Sequence, residues 1–208
     1  MRKYNEYYTN WDEVKDRIYP MLIPRKEPED FVQGLITTDF LDLKICYYIR
    51  GIKREMVTMR KEFYWKKTTH EIHEQALINM RKDGYSVTDI NDIMHMLEVD
   101  ERPEEDMMYV ITNCLGQFGA AAMLLDRDFY KQHFGKKNLF ILPCSIHEII
   151  VIPERVSEEN FAKEAFGLQT MIKEVNEMVV KEDMLSNSLY YFNAKKGEVE
   201  CLKVSKRR

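Results

Sequence analysis

Apolar positions along the chain alternate between helical and strand spacing. Trp11, Val14, Ile18 and Met21 recur at helical intervals behind Asn10, a good N-cap with Glu13 three residues on, and predict a first helix to about Tyr19. Pro20, Pro24 and Pro28 then stop it and impose an extended or turning connection. Leu41, Leu43, Ile45, Tyr47 and Ile49 alternate with Asp42, Lys44, Cys46, Tyr48 and Arg50, the period-two pattern of a strand with one buried face. Gly51 marks a turn, and Lys53 to Met59 reads as the return strand.

Two helices are predicted next. Thr68 and Glu71 form a capping box ahead of Ile72, Ala76, Leu77 and Met80, and Asp83-Gly84 supplies a left-handed stop. Ser86 with Asp89 resembles a second cap, before the stripe Ile90, Ile93, Met94 and Leu97. Beyond an acidic linker containing Pro103, strands are predicted at Met107 to Thr112, Ala120 to Leu125, Asn138 to Leu142 and Glu148 to Ile152. A short helix from Asp128 to Phe134, closed by Gly135, interrupts them. Ser157 caps the longest helix, whose seam is Phe161, Ala165, Leu168, Ile172, Val175 and Val179. A final hairpin pairs Leu189 to Phe192 with Val199 to Val204 through Asn193 to Gly197.

Strands joined by hairpins, with helices covering one face, define an α+β fold: a largely antiparallel sheet, one long helix near the C-terminus. The chain reads as a single domain over 1–208, with a helix-rich half, 1–100, and a strand-rich half, 107–204. Its 208 residues, 45 % hydrophobic and 32 % charged, suffice to bury a core without staples and exclude collagen-like, mucin-like and largely disordered classes.

No stretch approaches the roughly 18 consecutive apolar residues of a membrane-spanning helix, and Met1 to Asn10 does not read as an export signal. Cys46, Cys114, Cys144 and Cys201 form no Cys-x-x-Cys pair, so neither a disulfide framework nor a zinc finger is expected. These features predict a cytoplasmic protein with no membrane partner and no cofactor.

The formal charge of −4 sums opposed segments. Arg50 to Lys67 holds seven bases against Glu55 and Glu62, whereas Glu98 to Asp106 holds six acids against Arg102. Interleaved with Phe63, Tyr64 and Trp65, the basic run could contact phosphates and stack bases, though a charge run is usually a solvated face and the net charge repels nucleic acid. Three constellations could carry chemistry. His70, His73 and Glu74 share a helix face and could meet one divalent metal, but the histidines stand three apart, not four as in the metalloprotease signature, and an exposed polar face is the plainer account. Pro143-Cys144-Ser145-Ile146-His147-Glu148 falls at a strand break, where Ser145, His147 and Glu148 could form a hydrolase or transferase site, or Cys144 act as a thiol nucleophile. Residues two apart on a strand are about 7 Å apart, too far for a nucleophile–base bond without a kink. The loop Asn113 to Gly119 has two glycines but neither phosphate-binding fingerprint, and reads as a hairpin turn.

Tyr109-Val110-Ile111-Thr112-Asn113, Gly119 to Leu125, Ile141 to Glu148 with Pro153, Glu174-Val175-Asn176, and Leu185-Ser186 followed by Tyr190-Tyr191 together resemble the bacterial domain of unknown function numbered 5688, associated with anaerobic gut Firmicutes. Phe40 to Leu43 and the Trp65 region match more loosely. The resemblance brings no assigned activity. It implies that Asn113, Ser145, His147, Glu148 and Asn176 belong to a shared polar site, functional or architectural, and it sets His70 and His73 outside the pattern. The family has Ser where this chain has Cys144, which weakens a thiol mechanism. The function read from the sequence is a non-enzymatic binding or interaction module for a protein or small-molecule partner. The alternatives are the Ser145/His147/Glu148 enzyme and nucleic-acid contact through residues 50–67.

Overall fold

The computed structural model describes residues 8–26, 32–51, 54–97, 107–143, 145–155, 157–178 and 180–204. Lys53, the acidic segment with Pro103, Cys144, Val179 and the last four residues lie outside them, as does Pro28. The fold is α+β, and the chain forms two compact units, Met1–Asp83 and Gly84–Arg208.

The first unit departs from expectation at its start. Asn10 caps α1 (Trp11–Val14), its side chain accepting the Asp12 N–H, but the helix ends in a 3-10 turn, Lys15–Arg17, and Ile18 already opens β1 (Ile18–Pro24). Pro20 and Pro24, read as stops, lie inside this strand. The Arg17 carbonyl accepts the Arg50 N–H at 2.8 Å, which points the odd-numbered residues of β1 toward its only neighbour among the described residues. Pro20 and Pro24 are therefore on the open edge, where a missing N–H breaks no ladder bond.

The neighbour is β3 (Leu43–Ile49), paired on its other side with β2 (Thr37–Phe40) and the two-residue β4 (Glu55–Met56), all antiparallel. Leu41, read as the start of the alternating strand, occupies the β2–β3 turn with φ 53°. Cys46 and Tyr48 are buried along with Leu43, Ile45, Tyr47 and Ile49, so the central strand hides both faces rather than the one expected. Met59, read as the end of a strand, opens α2 (Met59–Trp65). The predicted capping box holds in α3 (Thr69–Asp83). Thr68 N–H donates to Glu71 at 2.9 Å, and Glu71 N–H to the Thr68 hydroxyl at 3.2 Å. Ile72, Ala76, Leu77 and Met80 are buried, and α3 packs on β1. Burying a side chain of Leu or Ile size contributes about 1.5–3 kcal/mol.

The second unit is a six-stranded antiparallel sheet. Its strands, in chain order, are β5 (Tyr85–Asp89), β6 (Tyr109–Asn113), β7 (Leu139–Leu142), β8 (Ile149–Pro153), β9 (Tyr190–Asn193) and β10 (Glu198–Cys201); their spatial order is β10-β9-β7-β8-β6-β5. Ser86, read as a cap, lies in β5; Asp89 is the N-cap of α4 (Ile90–Met96), accepting the Asn91 N–H. The predicted strand from Ala120 to Leu125 is instead a 3-10 helix, Gly119–Leu124. A short apolar run has no period that separates a strand from a buried helical turn, and its three alanines suit a turn packed against β6 and β8. Asp126 caps α5 (Arg127–Phe134), and Gly135 ends it at φ 67°.

Both sheet faces are covered, not one. Phe140, Leu142, Ile152, Leu189 and Tyr191 pack under Ala165, Leu168 and Ile172 of the 21-residue α6 (Glu158–Met178). The alternate residues Leu139, Ile141, Ile149, Val151, Tyr190 and Phe192 are equally buried. On that side the Tyr130 ring of α5 stacks on Phe192 at 4.4 Å.

Candidate functional site

The strand break between β7 and β8 bends the backbone so that Ser145 and His147 answer local groups. Ser145 pairs in an isolated antiparallel bridge with Met184, and the Ile146 N–H donates to the Asp183 carbonyl at 2.8 Å. The Ser145 hydroxyl accepts the His147 N–H at 2.9 Å, closing a side-chain turn two residues long. Glu148 is exposed, and its carboxylate takes no side-chain hydrogen bond among the described residues.

The His147 ring has work on both nitrogens. Nδ1 lies 3.3 Å from the Phe118 backbone N–H, and Nε2 lies 3.3 Å from the Asp183 carboxylate. A backbone N–H can only donate, so Nδ1 is the acceptor and the ring proton sits on Nε2, facing Asp183. The Phe118 ring lies against the imidazole with centroids 5.7 Å apart. Phe118 itself is at φ 58°, a left-handed conformation costing about 1–2 kcal/mol in a residue with a Cβ. His147 therefore holds a strained residue in place through one hydrogen bond and one ring contact.

Thr112 donates its hydroxyl to the His147 carbonyl at 2.8 Å. Gly119 closes the same corner: a Cβ there would come within 2.3 Å of that carbonyl and 2.4 Å of the Thr112 hydroxyl, so only glycine fits. Asn113 folds the preceding loop, its Oδ1 accepting from the Leu115 N–H at 3.0 Å and its Nδ2 donating to the Gln117 carbonyl at 2.6 Å. The loop is thus a connection into the 3-10 helix, not the hairpin turn expected. Asn176, buried on α6, donates to the Ser186 carbonyl at 2.9 Å and to Asn187 at 2.8 Å; its Oδ1 is buried without a partner among the described residues. Asn113, His147 and Asn176 thus fasten successive loops, 113–119, 145–147 and 183–187. No hydrogen bond joins their side chains to one another among the described residues. Phe118, Asp183 and Asn187 have no local sequence signal; Asp183 reads as one more solvated acid in Lys181-Glu182-Asp183.

The other constellations are also occupied by structure. The His73 Nδ1 lies 2.9 Å from the Tyr47 hydroxyl, which is 3.3 Å from the Thr38 hydroxyl. Burial lowers the His73 pKa and raises that of Tyr47 to about 12. His70 and Glu74 are exposed, and no cluster of three or more His, Cys, Asp or Glu suited to a metal occurs among the described residues.

In the basic run, Arg50 pairs with Asp83 and lies over the Tyr19 ring at 3.6 Å. Lys61, only 6 % exposed, meets Glu55 at 2.7 Å, and Lys67 meets Glu71 at 2.7 Å. Trp65 is buried with its ring edge toward Trp11 at 5.5 Å, so it cannot stack on a base. Phe63 (80 % exposed), Met59 (62 %) and Tyr64 (42 %) face solvent beside Arg60 and Lys66. They line an open groove of about 680 Å³ with Glu62, Lys66 and Lys67.

Fold and junction define an α+β protein whose polar motif serves its loops. The profile of the "Family of unknown function (DUF5688)" matches residues 2–194, and the chain belongs to that family. No curated protein and no solved structure matches it. Among the described residues no helix is long and apolar enough to cross a membrane.

Proposed function

We propose that this chain is a non-enzymatic interaction module of the cytoplasm, folded as one α+β domain over residues 1–208. The observation that carries the reading is the double engagement of His147. With Nδ1 on the Phe118 N–H and the Nε2 proton on Asp183, neither nitrogen is free to deprotonate the Ser145 hydroxyl, itself bound to a backbone N–H. Cys46, Cys114 and Cys201 form no disulfide with one another, which supports a reducing compartment. Origin in a gut Firmicute rests on the family resemblance alone.

The α2 groove is the contact surface in this proposal. Its partner is a protein segment that sets apolar side chains on Met59 and Phe63 and acidic ones near Arg60 and Lys66. Two experiments test the reading. A fluorophosphonate probe followed by intact-mass spectrometry is expected to leave Ser145 unmodified; an adduct that vanishes in a folded His147→Ala variant would establish the hydrolase instead. Peptide-display selection on the folded protein is expected to enrich apolar–acidic sequences that fail to bind Phe63→Asp, and enrichment indifferent to that change rejects the groove.

A further inference from the structure

A small cavity in the second unit lies between α5 and the end of β9. It measures about 60 Å³ and is lined by Arg127, Lys131, Gly135, Lys136, Phe192 and Ala194. Three of these residues are cations and none is an acid. Among the described residues no carboxylate forms an ion pair with Arg127, Lys131 or Lys136, although ion pairs answer the basic residues Arg50, Lys61 and Lys67 elsewhere.

Cations near the end of a helix complement the negative end of its dipole, which accounts for Lys131 in the last turn and Lys136 just past it. That explanation fails for Arg127. It is the first residue of α5, where the dipole disfavours a cation, and it precedes Lys131 by four, the spacing at which like charges repel. The hairpin turn nevertheless fixes its stem. A Cβ on Gly197 would meet the Arg127 Cδ at 2.9 Å and Cβ at 3.0 Å, so the aliphatic chain lies directly on the glycine.

The surrounding walls are firm. Phe192 is stacked on the fully buried Tyr130, and the Ala194 N–H is bound to the Asn138 side chain at 3.0 Å. Mutually repelling cations beside Phe192 and Ala194 become favourable neighbours once an anion lies among them.

We propose that this cavity binds a phosphate group, supplied either as free phosphate or as the terminal group of a monoester whose remainder stays in solvent. The lining sets this limit: its polar side chains are three cations with no acid and no amide, which match the oxygens of a compact oxyanion. Arg127 supplies the planar fork that pairs with two phosphate oxygens, and the lysines supply point charges. This site is independent of the α2 groove and stands or falls separately.

Titration of the full chain with inorganic phosphate, followed by amide NMR shifts at constant ionic strength made up with chloride, tests the proposal. Saturable shifts confined to residues 127–136 and 192–197 are expected, with a dissociation constant of about 1 mM or below. Arg127→Gln and Lys131→Gln should each weaken binding about tenfold, and Arg127→Lys, which keeps the charge and loses the fork, should weaken it less. Shifts that do not saturate, or a constant unchanged in the Arg127→Gln/Lys131→Gln variant, would overturn it. Should that variant fail to fold, Lys136→Gln, which lies beyond the helix, gives the same decision. Methyl phosphate separates the sources: affinity equal to that of phosphate assigns a monoester, and a tenfold loss assigns the free ion.

Discussion

The basic residues of the two units differ in what answers them. In the first, Arg50 meets Asp83, Lys61 meets Glu55 and Lys67 meets Glu71. In the second, Arg127, Lys131 and Lys136 ring a cavity with no acid in its wall. Much of the charge in the segment richer in bases is already used by the fold, with Arg60 and Lys66 left exposed at the α2 groove. Local density of Lys and Arg is therefore a poor guide to a binding surface; what decides is whether a carboxylate lies within reach.

Lys61→Ala should have the largest effect. It strands Glu55, whose side chain is 21 % exposed, and should cost about 3 kcal/mol in urea unfolding, with partial recovery in Lys61→Met/Glu55→Gln. A loss below about 0.5 kcal/mol would class Lys61 with ordinary surface cations and dissolve the contrast. Next is Arg50→Ala, which removes a half-buried ion pair and the cover over Tyr19; about 1–2 kcal/mol is expected, and a double-mutant cycle with Asp83→Ala should return a coupling of about 1 kcal/mol.

Acid sharpens the comparison from another side. The Lys67 ammonium, then the N–H and hydroxyl of Thr68, hold the exposed Glu71 carboxyl at about 2, below its ordinary 4.5. A folded value below the unfolded one means that this stabilisation is complete above pH 4.5 and is lost as pH falls through about 2. Glu71→Gln should flatten that part of an acid titration of stability, and an unchanged acid limb would remove Lys67 from the set of answered cations. The smallest effect belongs to Arg127→Ala and Lys131→Ala. In phosphate-free buffer each should move stability by no more than about 0.5 kcal/mol, whereas tenfold excess of phosphate over its dissociation constant should add about 1.4 kcal/mol to the unchanged protein alone.

Much of the fold is legible in local pattern. The Thr68–Glu71 box, the β7 and β8 runs, the α6 seam from Phe161 to Val175 and the terminal hairpin all depend on residues a few positions apart and form close to where their spacing predicts, though β10 ends at Cys201 rather than Val204. Errors arise where a distant partner decides. Pro20 and Pro24 stop a helix in isolation, yet they suit a strand whose open edge is set by β3, whose partners Tyr47 and Leu43 lie 27 and 19 residues on. The Ala120–Leu125 run lacks any period that a sequence can expose. At the strand break, Ser145 and His147 stand out as polar residues in an apolar stretch, but the partners that fix the ring, Phe118 and Asp183, are 29 and 36 residues distant. Proximity in the chain suggested a serine–histidine relation that the backbone turn replaces.

The edge-to-face pair of Trp11 and Trp65 gives the first unit a private optical signal. These are the chain's two tryptophans, and both belong to Met1–Asp83, so indole emission follows that unit alone while far-UV ellipticity follows both. If residues 1–208 melt as one domain, the two denaturation curves superimpose. Any offset between them separates the units and gives the stability of each without cutting the chain.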